Sequence, residues 1–329
     1  MISRKGGRVK RVSIGDNVLS VSAFCLGTAS FGSEISGRAL DALVGCYRDA
    51  GGNFFDTAHC YSFWLPGGAG ASERALGDYV RRHKCRDEVV IATKGGHPAA
   101  PGYRDDEAFL SPERVRADVA ESLQRLGVDA IDLYWLHRDD PRIDVGAIVD
   151  MLADEVRRGR IRAFGGSNWT SQRLAEANRY AGKRRTPGFV ASEPRWNLLY
   201  SNPVSETDRI QPGAVLEVNE RDRSWYARTQ MPVVPFSPTG VGFFATMGAR
   251  PESLRTPENL ARVARVEKLA DELGTSPNRI ALAWLLHQPC PVVPILGTTS
   301  SEHLLDALGA LNVTLSREQC GDLENTGMR

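Results

Sequence analysis

Asn53-Phe54-Phe55-Asp56-Thr57-Ala58-His59-Cys60-Tyr61 reads as a short buried strand that opens into a polar loop. Gly51 and Gly52 stop the helix before it, and the two phenylalanines supply β-propensity and apolar mass. Asp56 therefore stands where the strand ends, with Tyr61 five positions further on. Two readings are open at this point. Asp56 caps the next loop and Tyr61 packs, or both belong to an active site at the carboxyl end of a parallel strand.

The rest of the chain repeats the pattern. Residues 11–22 alternate around Gly15-Asp16-Asn17, a hairpin signal, and this hairpin is expected to plug one end of the main structure. Apolar, β-rich runs follow at 23–27, 53–56, 88–93, 131–136, 161–165, 189–192, 232–236 and 292–296. Helical stretches at 38–50, 72–83 and 145–158 fall between them. Ser111-Pro112 is a helix start whose helix runs to Leu126 and stops at Gly127; Gly159 is a similar stop. Thr170 caps another helix, and the Thr-Thr-Ser-Ser after Gly297 opens one more.

Eight strands alternating with helices predict the α/β class and a closed (α/β)8 TIM barrel, with an N-terminal β-hairpin and long βα loops at the C-terminal face. The long connections are 95–110, 194–220 and 237–256. An open doubly wound sheet would want a GxGxxG turn after its first strand. The sequence there is Leu26-Gly27-Thr28-Ala29-Ser30-Phe31-Gly32, which lacks it. No linker composition divides the chain, so residues 1–329 read as one domain.

Lys plus Arg number 41 and Asp plus Glu 40, for a net charge of +1. That balance, with no long basic run, argues against a nucleic-acid partner. Residues 1–10 are basic but precede no apolar segment, so they do not read as a secretory signal, and no stretch approaches the roughly 18 apolar residues of a membrane span. The six cysteines (25, 46, 60, 85, 290 and 320) form no CxxC pair and read as free thiols in a reducing cytoplasm. Cys60 stands out because it adjoins Tyr61. The six histidines show no metal-ligand spacing with cysteines or carboxylates, so no metal is expected.

Asp56, Lys94 and His137 follow the second, third and fourth predicted strands, with Tyr61 in the second loop, so all four face one rim. A free phenol has a pKa of about 10, too high for efficient proton shuttling near neutrality. A neighbouring ammonium favours the phenolate, a carboxylate can hold the ammonium, and an imidazole can orient a substrate oxygen. The set is a proton donor for a carbonyl oxygen without a nucleophile. It needs a hydride source that side chains cannot provide.

With these residues in place the chain resembles the aldo-keto reductases, and within them the bacterial branch with an LHRDDP motif. The resemblance rests on GTASFG at 27–32, NFFDTAHCY at 53–61, ATKGG at 92–96, DLYWLH at 132–137, FGGSNW at 164–169 and PVVPILGTTSSEHL at 291–304. It implies an (α/β)8 barrel and NAD(P)H-dependent carbonyl reduction. Tyr61 would be the general acid/base, Lys94 braced by Asp56 its pKa modifier, and His137 the group orienting the carbonyl. Gly27, Thr28 and Asp56 would lie beside the cofactor, and Ser167 and Asn168 would hold the carboxamide. Ser237, Thr239 and Gly240 would lie near the pyrophosphate, with Gly297, Thr299 and Ser301 near the adenosine.

The departures from that pattern carry expectations of their own. Glu193 stands where the family usually has Gln; when ionised it cannot donate, and its charge should favour the cationic oxidised ring. Phe236 occupies the nicotinamide-stacking position and keeps the aromatic face. The stretch 297–303 lacks the Arg or Lys that usually meets the 2′-phosphate, so NADP(H) is placed only slightly ahead of NAD(H). Trp64 and Trp169 are candidate pocket walls, with Trp196, Trp225 and Phe243 or Phe244 behind them; each is as readily core packing. Aromatic faces beside Arg138, Asp139 and Asp140 point to a sugar- or cyclitol-like carbonyl, an aryl or aliphatic aldehyde being the competitor. The alternatives are a dehydrogenase oxidising a sugar or polyol, and a cofactor-binding regulatory subunit.

Overall fold

The computed structural model describes residues 10–15, 18–99, 109–199 and 205–325. Strands β1 (Arg11–Ile14) and β2 (Leu19–Ser22) form the expected antiparallel hairpin, with Arg11 opposite Ser22 and Ile14 opposite Leu19. Of its turn, Gly15 has the positive φ (+68°) that glycine adopts without strain, while Asp16 and Asn17 lie outside the described residues. Ile14, Leu19 and Val21 are buried against Phe54, Leu133 and Trp135. Asn53 pins the hairpin where the second strand of the main sheet begins. Its side-chain amide donates to Ser20 O at 3.1 Å, and its Oδ1 accepts from Ser22 N at 2.7 Å. The hairpin thus covers the amino-terminal end of the sheet.

That sheet has seven parallel strands: β3 (Cys25–Gly27), β4 (Phe54–Asp56), β5 (Val90–Gly95), β6 (Ile131–Leu136), β7 (Ile161–Ser167), β8 (Phe189–Glu193) and β9 (Ile295–Leu296). Their spatial order is β8-β7-β6-β5-β4-β3-β9. Period-two alternation sorts the strand residues into two cores. Phe54, Ala92, Leu133, Trp135 and Ala163 point inward with the hairpin, while Phe55, Ile91, Tyr134 and Phe164 face the helices.

The strand expected at 232–236 is replaced by isolated bridges. Val233 bridges Ser192 on one side and Val292 on the other, and Phe236 bridges Arg195. Val234 N still donates to Ser192 O and Val293 N to Val233 O, both at 2.8 Å. Pro232, Pro235, Pro291 and Pro294 have no N–H to give, so the ladder is broken at every third position of both segments. The same prolines shorten the last strand, expected over 292–296, to two residues.

Around the sheet lie α1 (Gly37–Asp49), α2 (Ala71–Arg82), α3 (Pro112–Leu126), α4 (Val145–Arg157) and α5 (Ser171–Arg184), within a residue or so of the predicted bounds. Ser111 Oγ accepts from Arg114 N and Thr170 Oγ1 from Arg173 N, the caps their sequences announce. Gly127 closes α3 in the left-handed conformation. Five further helices had no sequence signal assigned to them: α6 (Glu206–Arg209), α7 (Glu220–Thr229), α8 (Pro257–Leu273), α9 (Pro277–Leu286) and α11 (Arg317–Glu324). The Ser-rich start after Gly297 does form α10 (Ser301–Leu308), capped by Ser300. Among the described residues no helix is long and apolar enough to cross a membrane.

Candidate active site

The polar residues at the carboxyl rim continue the inward-facing rows of the sheet. Asp56 stands two residues past Phe54, Lys94 two past Ala92, His137 two past Trp135 and Glu193 two past Ala191, each of the four a member of the inner core. Strand alternation turns all four side chains to the same interior. Lys94 and Ser167 are on their strands rather than in the loops after them, since β5 runs to Gly95 and β7 to Ser167.

Lys94 is the hub. Its Nζ is ion-paired with Asp56 Oδ2, donates to Thr57 O at 2.9 Å and to Tyr61 OH at 3.1 Å, and lies 3.4 Å from Glu193 Oε1. Lys94, Asp56 and Glu193 are all at most 2% exposed. Burial alone would lower the lysine pKa, but Asp56 and Glu193 carry it well above its ordinary value. Burial raises Glu193 well above the usual carboxylate range, and the neighbouring Asp56 charge adds to the rise against the pull of Lys94. Asp56 is raised by burial too, with Lys94 opposing. One ammonium faces two buried carboxyls and is paired more closely with Asp56, so burial opposes the ionisation of Glu193 against the weaker pull of Lys94. The negative charge expected of Glu193 from the sequence is therefore disfavoured by its burial, and in the protonated form its carboxyl group regains a donor. Glu193 Oε2 and Asp56 Oδ1 are buried and have no hydrogen-bond partner among the described residues.

Lys94 does pull the Tyr61 pKa down, as expected. Burial outweighs it, however, with Asp56 and any charge on Glu193 adding to the rise, and the phenol ends above its ordinary value. Tyr61 is thus protonated at neutral pH, the state of a proton donor. The Tyr61 and His137 rings meet edge to face at 6.1 Å. Burial, Lys94 and Arg138 hold His137 well below its usual range, so its imidazole is neutral. Cys60 Sγ lies 3.5 Å from His137 Nδ1. Burial pushes that thiol up to about 12, which makes the sulfur the donor and leaves the imidazole proton on Nε2.

A cavity of about 580 Å³ opens over this cluster. Asp56, Tyr61, His137, Ser167, Asn168 and Glu193 line its inner end. Gly27, Phe236, Ser237, Thr239 and Gly297 line it further along. At Gly297 an added Cβ would meet nothing within 4 Å, so the wall there is bare backbone. Ser167 Oγ donates to Glu193 O at 3.0 Å, while Asn168 Nδ2 donates to His137 O and its Oδ1 accepts from Leu216 N, both at 3.0 Å. Each keeps part of its hydrogen-bonding capacity for a ligand.

Other expected residues are placed elsewhere. Thr28 is fully buried, its hydroxyl held by Asp56 O at 3.0 Å and Ser72 Oγ at 2.8 Å. Gly240, Thr299 and Ser301 are not among the cavity-lining residues. Trp169 is core: fully buried, it packs on Phe189 at 4.7 Å. Trp64 is 62% exposed and does not line the cavity. Trp196, Phe243 and Phe244 are buried in the outer core, which Trp225 flanks. Of the Arg-Asp-Asp run only Arg138 lines the cavity; Asp139 turns to Arg173 (3.1 Å) and Asp140 to Arg142 (2.7 Å).

Three features escaped the sequence. His97 packs edge-on against His137 at 4.7 Å, and burial lowers its pKa to about 4. It brings Cys60, His97 and His137, which no spacing connects, to within 4.8 Å of one another at their donor atoms. The carboxyl group of Asp306, on α10, reaches the far end of the cavity, ion-paired at 3.0 Å with Arg279 of α9. A guanidinium thus does stand near that end, but from a different element than the one searched.

The aldo/keto reductase family model matches residues 23–327. The uncharacterized oxidoreductase YrpG of Bacillus subtilis is 30% identical over 316 residues, covering 93% of this chain and 92% of its own. The aldo-keto reductase yakc [NADP(+)] of Schizosaccharomyces pombe is 27% identical, covering 95% of this chain and 92% of its own. Norsolorinic acid reductase B of Dothistroma septosporum is 28% identical, covering 92% of this chain and 78% of its own. A rim of Asp56, Tyr61, Lys94 and His137 and a match over nearly the whole length lead to one conclusion: the chain belongs to the aldo/keto reductase family.

Proposed function

We propose that this protein reduces a small aldehyde or ketone to an alcohol, with Tyr61 as general acid and a reduced nicotinamide cofactor in the cavity. The observation that carries the reading is the contact of Lys94 Nζ with Tyr61 OH at 3.1 Å on an ammonium already paired with Asp56. A carbonyl oxygen between Tyr61 OH and His137 Nε2 would take a hydrogen bond from each. As charge develops on that oxygen Tyr61 would give up its proton, and Lys94 would stabilise the phenolate left behind. The cofactor, when bound, supplies the hydride.

The residues present fit such a cofactor. Phe236 offers a ring for the nicotinamide to stack on, and the orphaned Glu193 Oε2, with Ser167 and Asn168, offers polar groups for its carboxamide. Ser237 and Thr239 would approach the pyrophosphate, and Gly297 the adenosine end. NADP(H) is placed slightly ahead of NAD(H): the fission-yeast relative is named for NADP(+), and Arg279 lies near that end, although Asp306 engages it. We read the sheet as a single (α/β)8 barrel domain over 1–329, with free thiols that suit the cytoplasm, and the substrate as a sugar- or cyclitol-like carbonyl compound.

Titration with NADPH and NADH, followed by nicotinamide fluorescence, tests the cofactor half. Saturable binding of NADPH at or below the NADH concentration is expected. Binding of neither would overturn the assignment.

A further inference from the structure

The backbone after β6 separates three charged neighbours. Asp139 is 8% exposed and faces Arg173, whose Nε reaches Oδ2 at 3.1 Å. Asp140 is fully buried and holds Arg142 through two contacts of 2.7 Å. Both acids are thereby committed to other arginines. Arg138 is left facing the cavity, half-buried, and pairs with no carboxylate among the described residues. Its guanidinium makes a single hydrogen bond among the described residues, from Nη1 to His137 O at 3.0 Å. Burial depresses its pKa and Arg195 adds to the fall, against the opposing pull of Cys60, Glu193 and Tyr61. By contrast Arg195, beyond Phe236, is already paired with Glu217 at 2.9 Å.

An enclosed guanidinium without a counterion is costly, and its fork of donors matches a carboxylate or phosphate in two-point contact. Arg138 lines the cavity with His137, Tyr61 and Glu193, and it follows His137 in sequence, which places it at the reacting end rather than the end marked by Gly297 and Asp306. We propose that Arg138 binds an oxyanion carried by the carbonyl substrate itself, so that the preferred substrates are aldehydes or ketones bearing a carboxylate or a phosphate. The inference rests on the carbonyl-reductase reading and narrows its substrate class. It also assigns the Arg of the Arg-Asp-Asp run a different task from its two acids, which brace the loop that presents it.

Matched pairs of substrates test it: succinic semialdehyde against butanal for a carboxylate, and glyceraldehyde 3-phosphate against glyceraldehyde for a phosphate. The wild type should show a higher kcat/KM for at least one charged member, and the better pair tells which anion is meant. In Arg138→Gln the charged-to-neutral ratio should fall roughly 10- to 100-fold, as expected for a lost hydrogen bond to a charged group, with Arg138→Lys in between. Equal or better use of both neutral members by the wild type overturns the proposal, as does a ratio unchanged in Arg138→Gln. Should no carbonyl compound be turned over, succinate and inorganic phosphate titrated into the protein decide separately. Binding of either that weakens in Arg138→Gln supports the anion site while the reductase reading fails; binding of neither, or binding indifferent to the substitution, removes the site as well.

Discussion

Glu193 Oε1 lies 3.4 Å from Lys94 Nζ, on an ammonium that Asp56 already holds. Two buried carboxyls therefore compete for one cation, and burial raises the pKa of Glu193. A folded-state carboxyl raised in this way is neutral at low pH and ionises as pH rises through its elevated pKa. Its charge then favours the cationic oxidised ring over the neutral reduced one. The ratio of NADPH to NADP+ dissociation constants in the wild type should therefore rise with pH, whereas Glu193→Gln should give a flat profile close to the wild-type value at the acid end of the titration. Parallel pH profiles in the two proteins would show that Glu193 carries no such titration.

Lys94→Met removes the cation and leaves Asp56 buried without its partner. Breaking a buried pair in this way costs about 3–5 kcal/mol, which denaturant unfolding near pH 7 should register. With the ammonium gone the Asp56 carboxyl titrates from a still higher pKa. The penalty is present above that pKa and shrinks as pH falls through it. A variant equally destabilised at pH 5 and pH 8 would contradict the ion-pair account.

Cys60 donates to His137 Nδ1 and so fixes which imidazole nitrogen can face a carbonyl oxygen. Cys60→Ser preserves a donor at that place, and Cys60→Val removes it. We expect the valine variant to lose on the order of tenfold in kcat/KM and the serine variant to lose much less, a difference matching one hydrogen bond. Equal losses in both would reduce Cys60 to packing.

Asp306 places a carboxylate at the far end of the cavity and at the same time occupies Arg279. Asp306→Asn removes a repulsive charge and releases a guanidinium, and both effects favour a 2′-phosphate. The preference for NADPH over NADH should rise roughly tenfold in dissociation constants, as for one charge-assisted hydrogen bond gained. An unchanged preference would place the 2′-position away from Asp306.

The rim was legible in the sequence because strands have period two and end abruptly. A polar residue at the end of an apolar run, two positions past a core residue, has little choice of direction, and Asp56, His137 and Glu193 follow that rule. The segment at 232–236 was misjudged as a strand because its composition is β-rich, although Pro232 and Pro235 withhold the donors that a ladder needs. Trp169 stays open in sequence between pocket wall and core because large aromatics look alike there, and only its burial and packing on Phe189 show it to be core. His97 meeting His137, and Arg279 meeting Asp306, join residues far apart in the chain, which local pattern cannot reveal. The direction of the Tyr61 shift is hidden for a related reason: the lysine is visible in sequence, but the burial that outweighs it emerges only on folding.

The central claim is that Tyr61 delivers the proton. It is tested most directly by comparing the wild type with Tyr61→Phe in NADPH-dependent reduction of a carbonyl panel, alongside NADPH binding by fluorescence. The account predicts that Tyr61→Phe binds NADPH as the wild type does and loses roughly 10²- to 10⁴-fold in kcat, the usual contribution of a positioned general acid. Turnover by the variant within a few-fold of the wild type would contradict it.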